Sequence, residues 1–284
     1  ETLHWLSEQA GVAETQLPQV REVSDSRNER DRQERIKTLT ELFEVFTRSF
    51  AGSSKPQTYL ESRNLDPRKV KAGYNIGQFH HAVNLPEGES EKYQKLFENL
   101  GLLKYHPNSH GYHVFGKGCI VFPLRNRQNQ VISFYFRETD PKKPSQHYYL
   151  KNRQGLYPNY PKRETQKLIL TESIIDCETL IQNHSSLNIH HLSFLACYGT
   201  EGIKEQLEAI KELEDLKEAV IFFDGDKAGR EGAEKLAGMI SRQRPGVKIR
   251  IVQTPDGQDI NSLLESHNKD ILLDLIQQAP AFFL

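Results

Sequence analysis

From Lys167 onward the chain alternates short apolar runs with amphipathic stretches. Residues 168–171, 192–197, 219–223 and 247–253 are apolar, rich in branched and aromatic side chains, and bounded by polar turns, as buried strands are. Residues 173–182, 203–213, 229–241 and a last segment from Ile260 space their apolar positions as helices do. This alternation predicts an α/β unit, a mainly parallel sheet between helices.

The pattern before Lys167 is different. In 36–50, Ile36, Leu39, Leu42, Phe43 and Phe46 share one side of a predicted helix. Residues 56–63, 67–72 and 89–100 read as short helices. Two strand-like stretches, 118–125 and 130–138, flank a polar β-turn, R-N-R-Q-N-Q at 125–130, and 147–150 is a further β-prone piece. Residues 1–11 predict a helix with Leu3, Leu6 and Ala10 on one face and Gly11 as its C-cap. A start in mid-helix is expected of a piece of something longer. Residues 12–35 are polar without a period and read as a linker. No internal repeat is present.

At 284 residues the chain is long enough for one large or two ordinary domains. A net charge of −1 excludes a uniformly basic nucleic-acid binder. The charge is uneven, however: basic residues gather in 104–163 and acidic ones in 201–218. No apolar run approaches the roughly 18 residues that cross a membrane, and 1–8 is polar rather than a leader. Cys119, Cys177 and Cys197 lie far apart in apolar company, so free thiols and a cytoplasmic location are expected. None of the 11 His stands with Cys at zinc-ligand spacing.

Chemistry concentrates at the ends of the predicted parallel strands. The first ends at Glu172, with Asp176 one helical turn on. The third ends at Asp224 and Asp226, separated only by Gly225, and Lys227 and Arg230 follow. The fourth leads to P-D-G-Q-D, with Asp256 and Asp259. Ligands of open α/β sheets bind outside the carboxyl ends of the strands, so these acids are placed to converge. A cluster of like charges is costly unless cations neutralise it, which points to a hard divalent ion such as Mg²⁺. Each acid also has a plain reading: Asp176 as a first-turn residue, Asp256 as part of the turn at Asp256–Gly257. The D-x-D pair alone also fits a phosphatase-type or receiver-type pocket. Cap and turn roles explain three strand ends together poorly.

The segments T-E-S-I-I-D at 171–176, D-G-D-K-A-G-R at 224–230 and P-D-G-Q-D at 255–259 resemble the three acidic motifs of a Toprim domain, and the set is most similar to the DnaG-type primases. C-Y-G-T at 197–200 resembles the turn after the second Toprim strand. Residues 120–137, I-V-F-P-L-R-N-R-Q-N-Q-V-I-S-F-Y-F-R, resemble paired strands in the basic half of the primase polymerase core. Y-L-E-S-R-N-L at 59–65 and N-I-G at 75–77 resemble its early helix and turn, and residues 1–11 the end of a zinc-binding domain. H-Y-Y-L-K-N-R-Q-G-L-Y-P together with T-E-S-I-I-D looks most like primase-related proteins of Bacteroidetes mobile elements.

The resemblance implies an upstream remnant and linker at 1–35, a helical and basic mixed α/β subdomain at 36–163 and a Toprim domain at 164–284. It implies metal-dependent synthesis of short RNA primers on single-stranded DNA, with Mg²⁺ or Mn²⁺ as cofactor. The expected partners are a DNA template, NTPs and a replicative helicase reached through regions outside this chain. Glu172, Asp224 and Asp226 match catalytic acids, and Glu172, Asp176, Asp224, Asp226 and Asp259 match metal-binding ones. Arg63, Arg137, His147, Lys151, Arg153, Lys227 and Arg230 are the matching nucleotide or DNA contacts. The chain departs from the family pattern at Ser173 (usually Gly), Asn261 (usually an acid), Cys119 (usually basic) and His147 (usually Lys). The departures keep open a non-catalytic single-strand-binding module of a mobile element. A Toprim nuclease would use the same acids.

Overall fold

The computed structural model describes residues 17–79, 90–107, 111–143, 147–183, 190–198, 203–268 and 270–283. The helix expected at 1–11 and the turn residues 199–200 lie outside them.

A long helix, α1 (Leu17–Ala51), opens the described chain and is followed by α2 (Ser54–Glu61). Residues 17–35, expected as linker, are therefore helical. Arg, Glu and Gln are good helix formers, and at the exposed residues 29–34 the Gln33–Glu29 pair (2.7 Å) supports the helix without an apolar stripe. The short helix expected at 67–72 is instead a run of turns, because Pro67 and Gly73 leave too few residues between them to nucleate one.

A four-stranded antiparallel sheet follows, in the order β1 (Gly73–Tyr74), β4 (Cys119–Arg125), β5 (Val131–Glu138) and β6 (His147–Tyr149). Helix α3 (Ser90–Asn99) and a separate hairpin, β2 (Leu103–His106) with β3 (Gly111–Val114), lie between β1 and β4 in sequence. Period-two alternation divides β4 between two cores. Cys119 and Val121 pack with Leu39, Leu42, Phe46 and Phe97, while Ile120, Phe122 and Leu124 face the opposite side.

The second sheet is wholly parallel, ordered β8 (Leu192–Ala196), β7 (Lys167–Thr171), β9 (Glu218–Phe222) and β10 (Lys248–Ile251). Helices cover both faces. α5 (Lys204–Lys211) and α6 (Lys227–Gln243) pack on the side of Leu168, Leu170 and Ile221. α4 (Ile174–Asn183), α7 (Ile260–Ser266) and α8 (Asp270–Gln278) pack on the side of Ile169, Val220 and Phe222. Burial on both faces is why these strands read as continuous apolar runs.

The two sheets share a core. Phe122, Tyr135 and Tyr157 pack with Ile174, Cys177, Ala196 and Tyr198, and Leu60 and Leu65 join them. Two parallel-strand ends are thereby held against the antiparallel sheet. No described helix is long and apolar enough to cross a membrane.

Candidate active site

The three acid-bearing strand ends are neighbours, because β7, β9 and β10 adjoin in the sheet. Glu172 follows β7 directly and its Oε2 accepts the Asp224 N–H at 3.4 Å, which links the ends of β7 and β9. The loop after β9 is tied in turn to the loop after β10: the Gly225 N–H donates to the Gln258 carbonyl at 2.7 Å, and the Gly257 N–H to the Gly225 carbonyl at 3.1 Å. Two glycines make this possible. A Cβ on Gly225 would lie 1.9 Å from the Pro255 carbonyl oxygen, and one on Gly229 would lie 2.3 Å from that of Asp224.

Asp226 is the N-cap of α6, where its Oδ1 accepts the Gly229 N–H at 2.7 Å. Asp259 is the N-cap of α7 in a capping box with Ser262, at 2.6 and 2.8 Å. Each cap holds its acid at the sheet edge with one carboxylate oxygen spare. Asp176 differs: it is 3% exposed and both its oxygens are engaged. The Ser173 hydroxyl donates to Oδ2 at 2.5 Å and the Asn261 N–H to Oδ1 at 3.3 Å. The Asp176 N–H donates back to Ser173 Oγ at 3.2 Å, so Ser173 closes the start of α4 where a glycine would not.

The electrostatics follow from this crowding. Burial, then the charges of Asp176, Glu172, Asp259 and Asp226, push the Asp224 carboxyl up to about 8. Burial and Asp259 push Asp176 up to about 7 against the hydrogen bonds from Ser173 and Asn261. Glu172 is raised by burial, with Asp226 adding and the Asp224 N–H opposing. The cations nearest in sequence turn elsewhere. Arg230 bonds Asp256 at 2.8 Å and the Gly225 carbonyl at 2.9 Å, and Lys227 faces Glu231 at 3.8 Å in solvent. Asp256 thus belongs to an exposed ion pair rather than to the acidic edge.

Uncompensated carboxylates at one edge suit a divalent cation. Among the described residues no three His, Cys, Asp or Glu side chains are arranged to hold one between them. A divalent cation at this edge would be held by one or two carboxylates and completed by water and substrate phosphates.

Basic side chains converge at the seam between the sheets. The Arg137 Nε donates to the Tyr59 hydroxyl at 2.7 Å, and the Arg137 and Arg63 guanidiniums each lie 5.9 Å from the Tyr59 ring. Tyr59 and Arg63 line a hollow of about 540 Å³ with Lys55, Ser62 and Thr139. Arg153 lies 4.6 Å from the Tyr149 ring and 5.2 Å from that of Tyr198, and so spans the two halves. His147 stacks on Tyr135 at 5.9 Å. Burial, Arg137 and Arg153 hold it towards its neutral form. Lys151 is exposed. Tyr135 and Phe136 are core residues, unavailable for stacking on bases. Cys119 is buried beside Glu138, its thiol pushed up to about 12 mainly by burial.

Residues 45–159 match the model of the DNA primase catalytic core N-terminal domain, and residues 169–264 match the Toprim-like model. The chain belongs to the DnaG-type primase family. Similar relatives include the DNA primases of Pasteurella multocida, at 26% identity over 85% of this chain and 42% of that protein, and of Haemophilus influenzae, at 24% over 99% and 49%. The chain thus spans about half the length of the curated primases it matches. The fold is shared with the Aquifex aeolicus primase zinc-binding and RNA polymerase domains (TM-score 0.72, 19% identity, 88% of this chain and 62% of that one). It is also shared with a DnaG primase catalytic domain bound to ssDNA (TM-score 0.71, 18% identity, 89% and 80%).

Sequence reasoning singled out Arg137 and Arg63 but not Tyr59, which joins them. The residue lies in the quoted Y-L-E-S-R-N-L segment, yet a tyrosine two residues before a helix end carries no signal of its own. Nor did sequence spacing mark Asn261 and Ser173 as the two donors that hold Asp176.

Proposed function

We propose that this chain is the catalytic core of a primase, which makes short RNA primers from NTPs on single-stranded DNA. The observation that carries this reading is the adjacency of three acid-bearing strand ends, crowded enough to push the Asp224 carboxyl up to about 8. Such a cluster asks for cations, and NTP phosphates bring both negative charge and the metal to share.

Asp224, with Asp226, Glu172 or Asp259, would hold Mg²⁺ or Mn²⁺. Bound there, the metal supplies charge stabilisation for displacement at phosphorus. Glu172 is the group placed to take the proton of an attacking hydroxyl, because its carboxyl is raised and only one oxygen receives a backbone bond. Asp176 acts from beneath, shaping the charge felt by Asp224 rather than meeting the ion. Arg137 and Arg63, oriented by Tyr59, would grip phosphates. Arg153, Lys151 and His147 would guide the template, Arg153 and Lys151 through its phosphates. Lys227 and Arg230 flank the edge and would act only after leaving Glu231 and Asp256. Residues 36–163 would form the basic subdomain and 164–284 the Toprim domain. A replicative helicase would engage outside this chain, and the work would take place in the cytoplasm.

The test is incorporation of labelled NTPs on single-stranded DNA with Mg²⁺ or Mn²⁺, for the chain and for Asp224→Asn. Synthesis should fall at least about 100-fold in the variant while its circular dichroism is unchanged. Equal synthesis by both proteins would sink the reading. Single-strand binding without synthesis, here and in a longer protein that contains this chain, would replace it with a binding module.

A further inference from the structure

Asn261, the second residue of α7, is 1% exposed and touches two distant elements. Its N–H donates to Asp176 Oδ1 at 3.3 Å. Its side-chain Nδ2 donates to the Arg63 carbonyl at 2.5 Å and to Thr179 Oγ1 at 3.1 Å. The polarity of these contacts is dictated by the partners. A backbone carbonyl only accepts, and the Thr179 hydroxyl already donates its proton to the Ile175 carbonyl at 2.9 Å. Both therefore need a donor, which an amide has and a carboxylate lacks. A second contact docks the same loop: the Asp66 N–H donates to Gln182 Oε1 at 2.9 Å, and Gln182 Nε2 to the Asp66 carbonyl at 3.3 Å. Residues 63–66 are thus fastened at both ends to α4 and α7, the helices that carry Asp176 and Asp259.

We infer that Asn261 is a positioning residue: its amide ties the loop bearing Arg63 to the helix bearing Asp176, and so sets where a phosphate held by Arg63 lies relative to the acidic edge. The inference rests on the phosphate role given to Arg63 above. It also explains the absence of an acid at 261. A carboxylate there would face two acceptors and crowd Asp176, so the position serves the loop and not an ion.

The test compares Asn261→Asp, Asn261→Ala, Arg63→Ala and the Asn261→Asp/Arg63→Ala double variant in the full chain. Hydrogen exchange at residues 62–66 should speed up about tenfold or more in both Asn261 variants, with β7 and β9 unchanged. ATP binding in Mg²⁺ should weaken about tenfold in Asn261→Asp, but less than twofold when Arg63 is already Ala. Unchanged exchange at 62–66 would overturn the tether. So would tighter ATP binding by Asn261→Asp, the mark of an added metal ligand, or equal losses with and without Arg63, the mark of a merely structural residue. If Asn261→Asp loses protection across both sheets, Asn261→Ala carries the comparison. If the unaltered chain binds no ATP, the phosphate role of Arg63 fails, and the exchange data still decide the tether.

Discussion

The hydroxyl of Tyr157 donates to the carboxylate of Glu178, and both side chains are buried where the two sheets meet. Tyr157 stands beside the antiparallel sheet and Glu178 is on α4, two residues past Asp176. Burial pushes the Glu178 carboxyl up to about 7, against the Tyr157 hydrogen bond, the nearby Lys71 and a bond to Gln182.

This pair sets a pH-dependent term. The folded value of Glu178 lies above its ordinary 4.5. Its contribution is therefore fully present below about 4.5 and lost as pH rises to about 7, because only the unfolded chain releases the proton in that window. Tyr157→Phe removes a donor that favours the charged form. It should cost about 1–3 kcal/mol at pH 8 and distinctly less at pH 5. Urea denaturation at the two pH values measures the difference, and equal losses would show that the hydrogen bond is not coupled to Glu178.

The acidic edge has the same sign. Asp224 is raised to about 8, so the metal-free protein should become less stable from about pH 4 to 8. Mg²⁺ should restore stability by about 2.7 kcal/mol at 100 times its dissociation constant. Asp224→Asn should raise the melting temperature at pH 8 without metal and abolish most of the Mg²⁺ response. Calorimetry with and without Mg²⁺ reads both effects, and a full Mg²⁺ response in the variant would place the ion elsewhere.

Gly225 is held against backbone, not against a side chain that can yield. Gly225→Ala should cost about 1–3 kcal/mol and displace the loop joining β9 to α6. NTP incorporation should fall more than stability does, because that loop carries Asp224 and Asp226. An alanine variant with unaltered activity would mean that the loop geometry is unimportant to the chemistry.

Tyr59 orients Arg137 by accepting from its Nε. Tyr59→Phe keeps the ring but loses that acceptor, so the KM for NTP should rise several-fold with kcat nearly unchanged. Arg137→Lys loses both the planar fork and the ring contact and should cost more, about 1–3 kcal/mol of binding. Steady-state kinetics separates the two, and a fall in kcat alone would remove Arg137 from phosphate binding.

Much of this molecule is legible in its order of residues. Fully buried parallel strands need unbroken apolar runs, so 168–171 and 219–223 identify themselves, and acids just past them stand out against that background. β4, buried on both faces, is likewise a continuous apolar run at 119–124. The helix over 17–35 escapes, because that stretch of sequence has no apolar stripe to read. So does the β2–β3 hairpin, whose strands are four residues each and half exposed.

Strand position along the chain does not give strand order in the sheet. That β7, β9 and β10 adjoin, with β8 outside them, is a property of the packed sheet, and it alone makes neighbours of Glu172, Asp224 and Asp259. Packing likewise separated residues that look equivalent in sequence. It buried Asp176 under Ser173 and Asn261, left Asp226 and Asp259 as caps with a free oxygen, and turned Arg230 outward to Asp256. Local sequence selects each helix, strand and turn because those depend on near neighbours. Charge, burial and hydrogen-bond partners come from contacts as far apart as Arg63 and Asn261, and only the folded chain brings such groups together.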